Sequence, residues 1–505
     1  MNGPIRISAL FVFMILLATP LGAAVIHVPA DQPTIQAGID AAGDGDVVRV
    51  SDGTWSGPGN HDIDFGGKAI TVASAGGPLN CIIDCGGDAH LGFILETGER
   101  RGSVVSGFTI RNGHFGIECS RSSSVITGNV ITGCVGGIHA SMGSQLISGN
   151  TISDCSMSGI SGGFYYNTGS SWEPLITGNT ITGNDGNGVG FYSEYGVARP
   201  EISANTIEGN SGAGVSAGGH ITTLVSGNTI SGNGGGGVRF AGGEAAGTVV
   251  DNVITGNTAE RGGGVHMHAG GVIRNNLIAN NRASDTGGGI HASYLYPEVT
   301  NCTVKGNSAG VRGGAICFAG GLELFVASCI FRGNQAPAAP EIYAEPSSRN
   351  GVLRVRYSNI SGGMDGIVVV GGGGNVHLGP GIIDADPLFV TGPHGDHYLS
   401  QVAAGQAVDS PSVDSGDPGE VIGGTTRTDE VRDTGIEDQG YHYASYGAGC
   451  DIDGSGRVDG RDLALLCWSF GSFAGDWRYS SAADIDGNGA VDGNDLALLA
   501  AYFGS

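Results

Sequence analysis

Two acidic loops near the C-terminus carry the most specific chemistry in the chain. One runs Asp-Ile-Asp-Gly-Ser-Gly-Arg-Val-Asp-Gly-Arg-Asp from Asp451, the other Asp-Ile-Asp-Gly-Asn-Gly-Ala-Val-Asp-Gly-Asn-Asp from Asp484. Side-chain oxygens stand at loop positions 1, 3, 5, 9 and 12, with glycine at position 6 for the sharp turn. Such a turn converges several hard donors on one calcium ion. The expected ligands of the first loop are Asp451, Asp453, Ser455, Asp459 and Asp462, with the carbonyl of Arg457. Those of the second are Asp484, Asp486, Asn488, Asp492 and Asp495, with the carbonyl of Ala490. Two full loops in tandem argue against an acid-rich turn that binds nothing.

A second set of residues lies in the middle of the chain. Arg239, His266, His268 and His291 occupy related positions of a repeated unit. An Arg or His can take the proton α to a uronate carboxyl, and a neighbouring cation can neutralise that carboxyl. The paired acids of glycoside hydrolysis are not visible there: the corresponding positions hold one carboxylate, Glu118. Asp285 and Glu260, in the links between repeats, are possible partners. Histidine on a solvated strand is also ordinary surface, so the spacing alone does not make these residues catalytic.

The repeat that positions them covers residues 106–334. Its unit reads Gly-Asn-Thr-Ile-x-Gly-Asn, then a short glycine-rich link, then Gly-Ile or Gly-Val. The first Asn recurs as Asn129, Asn150, Asn179, Asn205, Asn228, Asn252 and Asn276, with Cys302 and Cys329 in later units and Phe108 in an earlier one. Five residues on comes Cys134, Cys155, Asn184, Asn210, Asn233, Asn257, Asn281, Asn307 and Asn334. Between the two columns runs an aliphatic one, Ile131, Ile152, Ile181, Ile207, Ile230, Ile254 and Ile278, then Val304 and Phe331. Successive units are 21 to 29 residues apart. Self-similarity at this period means a solenoid. Short Ile, Val and Thr runs between Gly and Asn turns mean strands, and the links leave no room for helices. Stacked coils place like residues above like, so the aliphatics form an interior stack and the Asn residues a hydrogen-bonded ladder, with Asn supplying the left-handed corner. In the Gly-Ile/Val strand the apolar residue points in and its successor out. That outward column reads Glu118, His139, Ser161, Gly190, Ser216, Arg239, His266, His291 and Cys317, which gathers Arg239, His266, His268 and His291 on one face.

The repeat resembles the right-handed parallel β-helix of the pectin-lyase-like family of secreted proteins. The expected fold is all-β, a single-stranded solenoid of about 10–14 coils at roughly 4.8 Å per coil. Thr34 to Ala42, with Ile35, Ile39 and Ala42 on one helical face, resembles the N-terminal cap helix of that family. The polygalacturonase motif set is not found. The duplicated loops, each ending in Asp and followed by a helix, resemble the dockerin module, which plugs extracellular enzymes onto cohesin partners. The pairs Gly460-Arg461 and Gly493-Asn494 stand where dockerins carry their recognition pairs, and they differ from the hydroxyl and basic pairs of the best-known members. The expected organisation is a signal peptide over 1–24, a cap over 25–60, repeats over 61–334, final coils and a C-terminal cap over 335–445, and a small helical calcium module over 446–505.

Composition bounds the rest. The 505 residues carry a formal charge of −25, with 21 Arg and only Lys68 and Lys305 as lysines. This excludes a nucleic-acid partner, which needs a basic surface. The 96 glycines fall at fixed places in the unit, so they are not low complexity. Arg6, the apolar run Ile7 to Leu17 and the small residues to Ala24 form a secretion signal too short to span a bilayer, which places the protein outside the cell or at its surface, with no membrane span after cleavage. Export permits disulfides. Of ten cysteines, the stacked pairs Cys134 with Cys155 and Cys302 with Cys329 suit buried packing, and Cys450 with Cys467 is the expected disulfide. No Cys-x-x-Cys occurs, so zinc is not indicated. The expected function is a secreted, monomeric protein acting on polysaccharide, most simply a pectate-lyase-like lyase delivered by a calcium-loaded dockerin-like module. The alternative is a non-catalytic extracellular β-helix that binds glycan or serves as surface architecture.

Overall fold

Three short strands and three turns make one coil, and coils stack in parallel. The computed structural model describes residues 23–164, 172–242, 245–346, 351–370, 375–420, 422–433 and 435–443, together with 452, 460–473, 480, 483, 490–491, 496 and 499 of the tail. The secretion signal expected over 1–24 falls almost wholly outside them. One coil runs Val125–Thr127, Val130–Thr132, Gly136–Ser141, and the next begins at Leu146–Ser148. Strands of each kind pair only with their own kind, giving three faces. The second face has 13 strands in strict chain order, so the solenoid has about thirteen turns. The first and third faces merge into one 27-stranded sheet, because the long strand Val215–Ser226 bends from the third onto the first.

The interior stack forms as the columns imply. Ile131 pairs with Ile152, Ile152 with Ile181, and so on to Ile278, Val304 and Phe331, all fully buried. The glycine that precedes the third-face strand is there for space: a Cβ on Gly214 would sit 2.5 Å from Ile230 Cγ2.

The Asn ladders are buried and continuous. Asn150 Oδ1 accepts from the Asn129 backbone N–H at 3.0 Å and from Asn129 Nδ2 at 3.1 Å, while Asn129 Nδ2 also donates to the Val105 and Thr127 carbonyls. The contact repeats rung by rung to Asn276. Beyond it Cys302 Sγ accepts from the Asn276 N–H, Cys329 Sγ from Cys302, and Ser358 Oγ from Cys329, so the sulfurs take over the acceptor's place. Cys134, Cys155, Cys302 and Cys329 are free and buried, as the packing expectation had it. The left-handed corner, by contrast, falls on the residue before the ladder Asn, such as Gly128 at φ 63° or Gly178 at φ 63°. The ladder Asn must keep its side chain aimed along the axis, and glycine adopts positive φ without cost.

Helix Ile35–Ala41 closes the first coil. Thr34 caps it by accepting from the Ala37 N–H, and Ile35 and Ile39 are buried. Lys68 Nζ donates to the carbonyls of Ile39, Asp40 and Ala42 at the helix end. The C-terminal region expected as final coils and a cap divides in two. Strands continue to Asn375–Leu378. Residues 385–443 then fold back along the second face: Tyr398, Tyr441 and Tyr443 pack on Leu277 and Ala279, and the Gly440 N–H donates to the Ser328 carbonyl. Among the described residues no helix is long and apolar enough to cross a membrane.

Candidate functional site

The outward column of the third face is one unbroken ladder. Backbone pairing links Glu118, His139, Ser161, Gly190, Ser216, Arg239, His266, His291, Cys317 and Tyr343 in that order. The structure therefore brings Arg239, His266 and His291 together on consecutive coils. The rings of His266 and His291 meet edge to face with centroids 5.1 Å apart. His268, just past the strand end, lies against Tyr294 at 4.7 Å.

These residues differ in exposure. Arg239 is exposed and His266 and His268 half-buried, but His291 is buried, with Nδ1 3.1 Å from Thr286 Oγ1. The cover comes from a small side sheet, Thr258–Arg261, Arg282–Thr286 and Ser308–Ala309, formed in the links between the second and third faces. That side sheet also brings charges that the columns do not contain. Arg261 Nε lies 2.9 Å from Asp285 Oδ2 and 3.9 Å from Glu260. Arg312 lies 3.0 Å from the Tyr343 hydroxyl and 3.4 Å from Glu345. Asp285 and Glu260 thus pair with Arg261 rather than with the histidines. Burial first, then the Arg239 charge, hold His266 down at about 4. Burial first, then His266 and the arginines, hold His291 at about 3. Both imidazoles are neutral at pH 7, and of the guanidinium groups around them Arg261 and Arg312 are paired with carboxylates, which leaves Arg239 without an ion pair among the described residues.

Lower on the same ladder sits a different group. Ser141 Oγ is 2.6 Å from His139 Nε2, Ser161 Oγ is 3.2 Å from Nδ1, and Glu118 Oε1 is 3.9 Å from Nε2. Burial first, then the charge of Glu96, push Glu118 up to about 7. Glu96, in a link, escaped the column argument.

Residues 146–295 match the family model of the right handed beta helix region, and residues 449–504 that of the dockerin type I domain. The chain is a right-handed parallel β-helix protein with a C-terminal dockerin-like module. No curated protein matches it. Among solved structures, the β-helix is similar to the Agl-KA catalytic domain, at 16% identity and TM-score 0.43 over 71% of this chain and 69% of that one. It is also similar to pectate lyase Pel9A, at 12% identity and TM-score 0.39 over 85% and 98%. A third is the A-module of mannuronan C-5 epimerase AlgE4 of Azotobacter vinelandii, at 14% and 0.38 over 68% and 94%. At these identities the likeness concerns the fold.

In the dockerin-like module, helix Gly460–Ser469 follows the first loop, and its first turn carries Asp462, which is fully buried. Ala490–Val491 pairs antiparallel with Ser472–Phe473, and Ile452, Leu466, Ala483, Val491 and Leu499 form the core. Asp451, Asp453, Ser455, Arg457, Asp459, Asp484, Asp486, Asn488, Asp492 and Asp495 lie outside the described residues. The donor set is all oxygen, and a carboxylate buried at the loop's end is what a calcium loop requires, so the residues fit the ion. Cys467 is exposed on the helix, and Cys450, its expected partner, lies outside the described residues.

Proposed function

We propose that the protein works outside the cell on an anionic polysaccharide held along the third face, most simply as a uronate lyase. The observation that carries this is Arg239, a guanidinium with no carboxylate partner among the described residues, standing next to the neutral imidazoles of His266 and His291 on one outward ladder, with Arg261 and Arg312 nearby but paired to carboxylates. Arg239 forms no ion pair among the described residues, so it is available to a sugar carboxylate. In this reading Arg239 neutralises the carboxylate and acidifies the adjacent C5–H. His266 takes that proton, the C4–O bond breaks with its electrons leaving on the glycosidic oxygen, and a C4–C5 double bond remains. The arriving carboxylate also supplies negative charge beside His266, which raises its basicity from the depressed value. His268 with Tyr294 would position the sugar, and buried His291 would orient His266.

The dockerin-like module, loaded with calcium, delivers the β-helix to a cohesin-like partner. Calcium there holds the two loops closed; Asp462 and its counterparts supply the oxygens.

A non-catalytic glycan-binding surface is the second reading. It is favoured by the exposed rings of Tyr192, in a third-face strand, and Tyr294, against His268, which suit sugar stacking, and by a base as weak as His266. The test is incubation with a panel of uronate polymers, followed by ultraviolet absorbance of the unsaturated product. Absorbance growth supports the lyase. Retention on a polymer without any absorbance change supports the binding surface, and neither result overturns both.

A further inference from the structure

The segment that folds back over the second face ends in a group of side chains unconnected with the third face. His442 is fully buried, and Asp433 and Glu437 beside it are nearly so. His442 Nδ1 is 3.0 Å from the Gly440 carbonyl. A carbonyl can only accept, so Nδ1 carries a hydrogen, and Nε2 is left to face the carboxylates. It lies 3.3 Å from Asp433 Oδ2, which also accepts from the Asp438 N–H at 2.9 Å, and 3.5 Å from Glu437 Oε2. The three ligand atoms all lie within 4.8 Å of one another, an arrangement that favours a positive occupant.

Glu437 strengthens the case. Its Oε1 accepts from the Ile422 N–H at 2.7 Å, which fixes the carboxylate. Its Oε2 is buried, points into the cluster and has no hydrogen-bond partner. A proton on Nε2 would leave the group with one positive charge against two carboxylates. Asp438 adjoins them, its carboxyl committed to the Asp414 N–H, to Gln401 and to Thr426. Of the nearby guanidiniums, Arg427 is engaged with Asp429 at 2.6 Å, and Arg432 is exposed to solvent, though its charge reaches Glu437. A divalent ion would balance two carboxylates and one neutral imidazole to zero, which a buried site favours.

We infer that His442, Asp433 and Glu437 form a structural binding site for a first-row divalent ion of the Zn²⁺ type. The spacing agrees: donors about 2.0–2.1 Å from a tetrahedral ion stand about 3.3 Å from one another. The imidazole ligand favours zinc-like ions over calcium or magnesium, which take oxygen. The Gly440 carbonyl supplies the second contact that fixes a ligating histidine's tautomer. The ion would pin the returning segment to the β-helix, because His442 also exchanges two hydrogen bonds with Asn275, 167 residues away.

A second group, His61, Asp62 and His90, also brings three ligand atoms within 4.8 Å, and it serves as the control. Its Asp62 oxygen already lies 2.9 and 2.7 Å from the two imidazoles, so it is satisfied without an ion. The experiment uses the full chain, saturated with calcium so that the acidic loops are filled. Cobalt(II) is added and its visible ligand-field absorption recorded; zinc is then added and thermal unfolding followed. One equivalent of cobalt should give the absorption of a low-coordinate nitrogen-ligated site, zinc should displace it, and the unfolding midpoint should rise by several degrees. His442→Ala should remove both effects. Glu437→Gln, which keeps the Ile422 contact and the fold, should weaken cobalt binding at least tenfold. His90→Ala should change neither. No absorption and no zinc-dependent shift in the wild type would overturn the inference. So would binding that survives Glu437→Gln and disappears in His90→Ala.

Discussion

Glu118 and His266 occupy the same outward position of the third face, on different coils of one ladder. Both are half-buried, and burial acts on them in opposite directions. It lifts the Glu118 carboxyl to about 7 and lowers the His266 imidazole to about 4. The outcome is the same in kind: each group tends to its neutral form. The two stretches then differ in what burial cannot discharge. Around Glu118 and His139 stand serines and Glu96, whereas around His266 and His291 stand Arg239, Arg261 and Arg312. Guanidinium keeps its charge in almost any environment. Burial thus removes titratable charge from both stretches; Arg261 and Arg312 are balanced by Asp285, Glu260 and Glu345, and Arg239 is the charge left to meet an anionic sugar in the proposed reading.

The largest test breaks the scaffold that both stretches share. Ile230→Asp puts a charge into the fully buried stack beneath them and should cost on the order of 3 kcal/mol or more. Circular dichroism melts should show it as a large drop in midpoint, and an unchanged midpoint would mean that the stack is not a tight core. Removing an ion should separate the two modules instead. The isolated tail, residues 446–505, should be largely unfolded in chelator and gain helix with calcium, because loop carboxylates repel one another without it. Magnesium should substitute poorly. Asp451→Ala with Asp484→Ala should abolish the gain and leave the β-helix melting as before. A tail equally helical in chelator would refute the calcium loops.

A smaller effect separates the stretches by pH. His291 titrates at about 3 in the fold against an ordinary 6.5, so the unfolded chain binds the extra proton in between. The stability this contributes is complete above pH 6.5 and is lost as pH falls towards 3. Glu118 has the opposite sign. Its folded form keeps a proton up to about 7 that the unfolded chain releases near 4.5, so stability is lost as pH rises between those values. Each group contributes a slope of at most about 1.4 kcal/mol per pH unit. Stability profiles of His291→Asn should flatten on the acid side and those of Glu118→Gln between pH 4.5 and 7. Parallel profiles would show that neither group is held as the structure implies.

What sequence spacing could reveal follows from how the site is built. The ladder from Glu118 to Cys317 was readable because each third-face strand stands at a fixed offset from the Gly-Ile/Val pair, and inward and outward positions alternate. Interior isoleucines, Asn rungs and cap helix obey the same local rules. The links do not. Their lengths vary with units 21 to 29 residues apart, so Glu96, Arg261 and Arg312 belong to no column. For the same reason nothing warned that the side sheet would bury His291. His442 reaches Asn275 across 167 residues by a chain reversal with no periodicity, so its neighbours were invisible to any repeat-based argument. The left-handed corner was misplaced by one residue because Asn serves both as corner and as ladder, and here the ladder wins.

In the proposed function the stretch around Arg239 and His266, and not the one around Glu118, meets the substrate. The most direct measurement is kcat/KM for wild type, Arg239→Ala, His266→Ala and Glu118→Gln on a uronate polymer that the screen identifies, with melting midpoints beside them. Arg239→Ala and His266→Ala should each lose about a hundredfold or more, with midpoints little changed, while Glu118→Gln should keep near-wild-type turnover. Equal activity in the first two variants, or a collapse confined to Glu118→Gln, would contradict the proposed function.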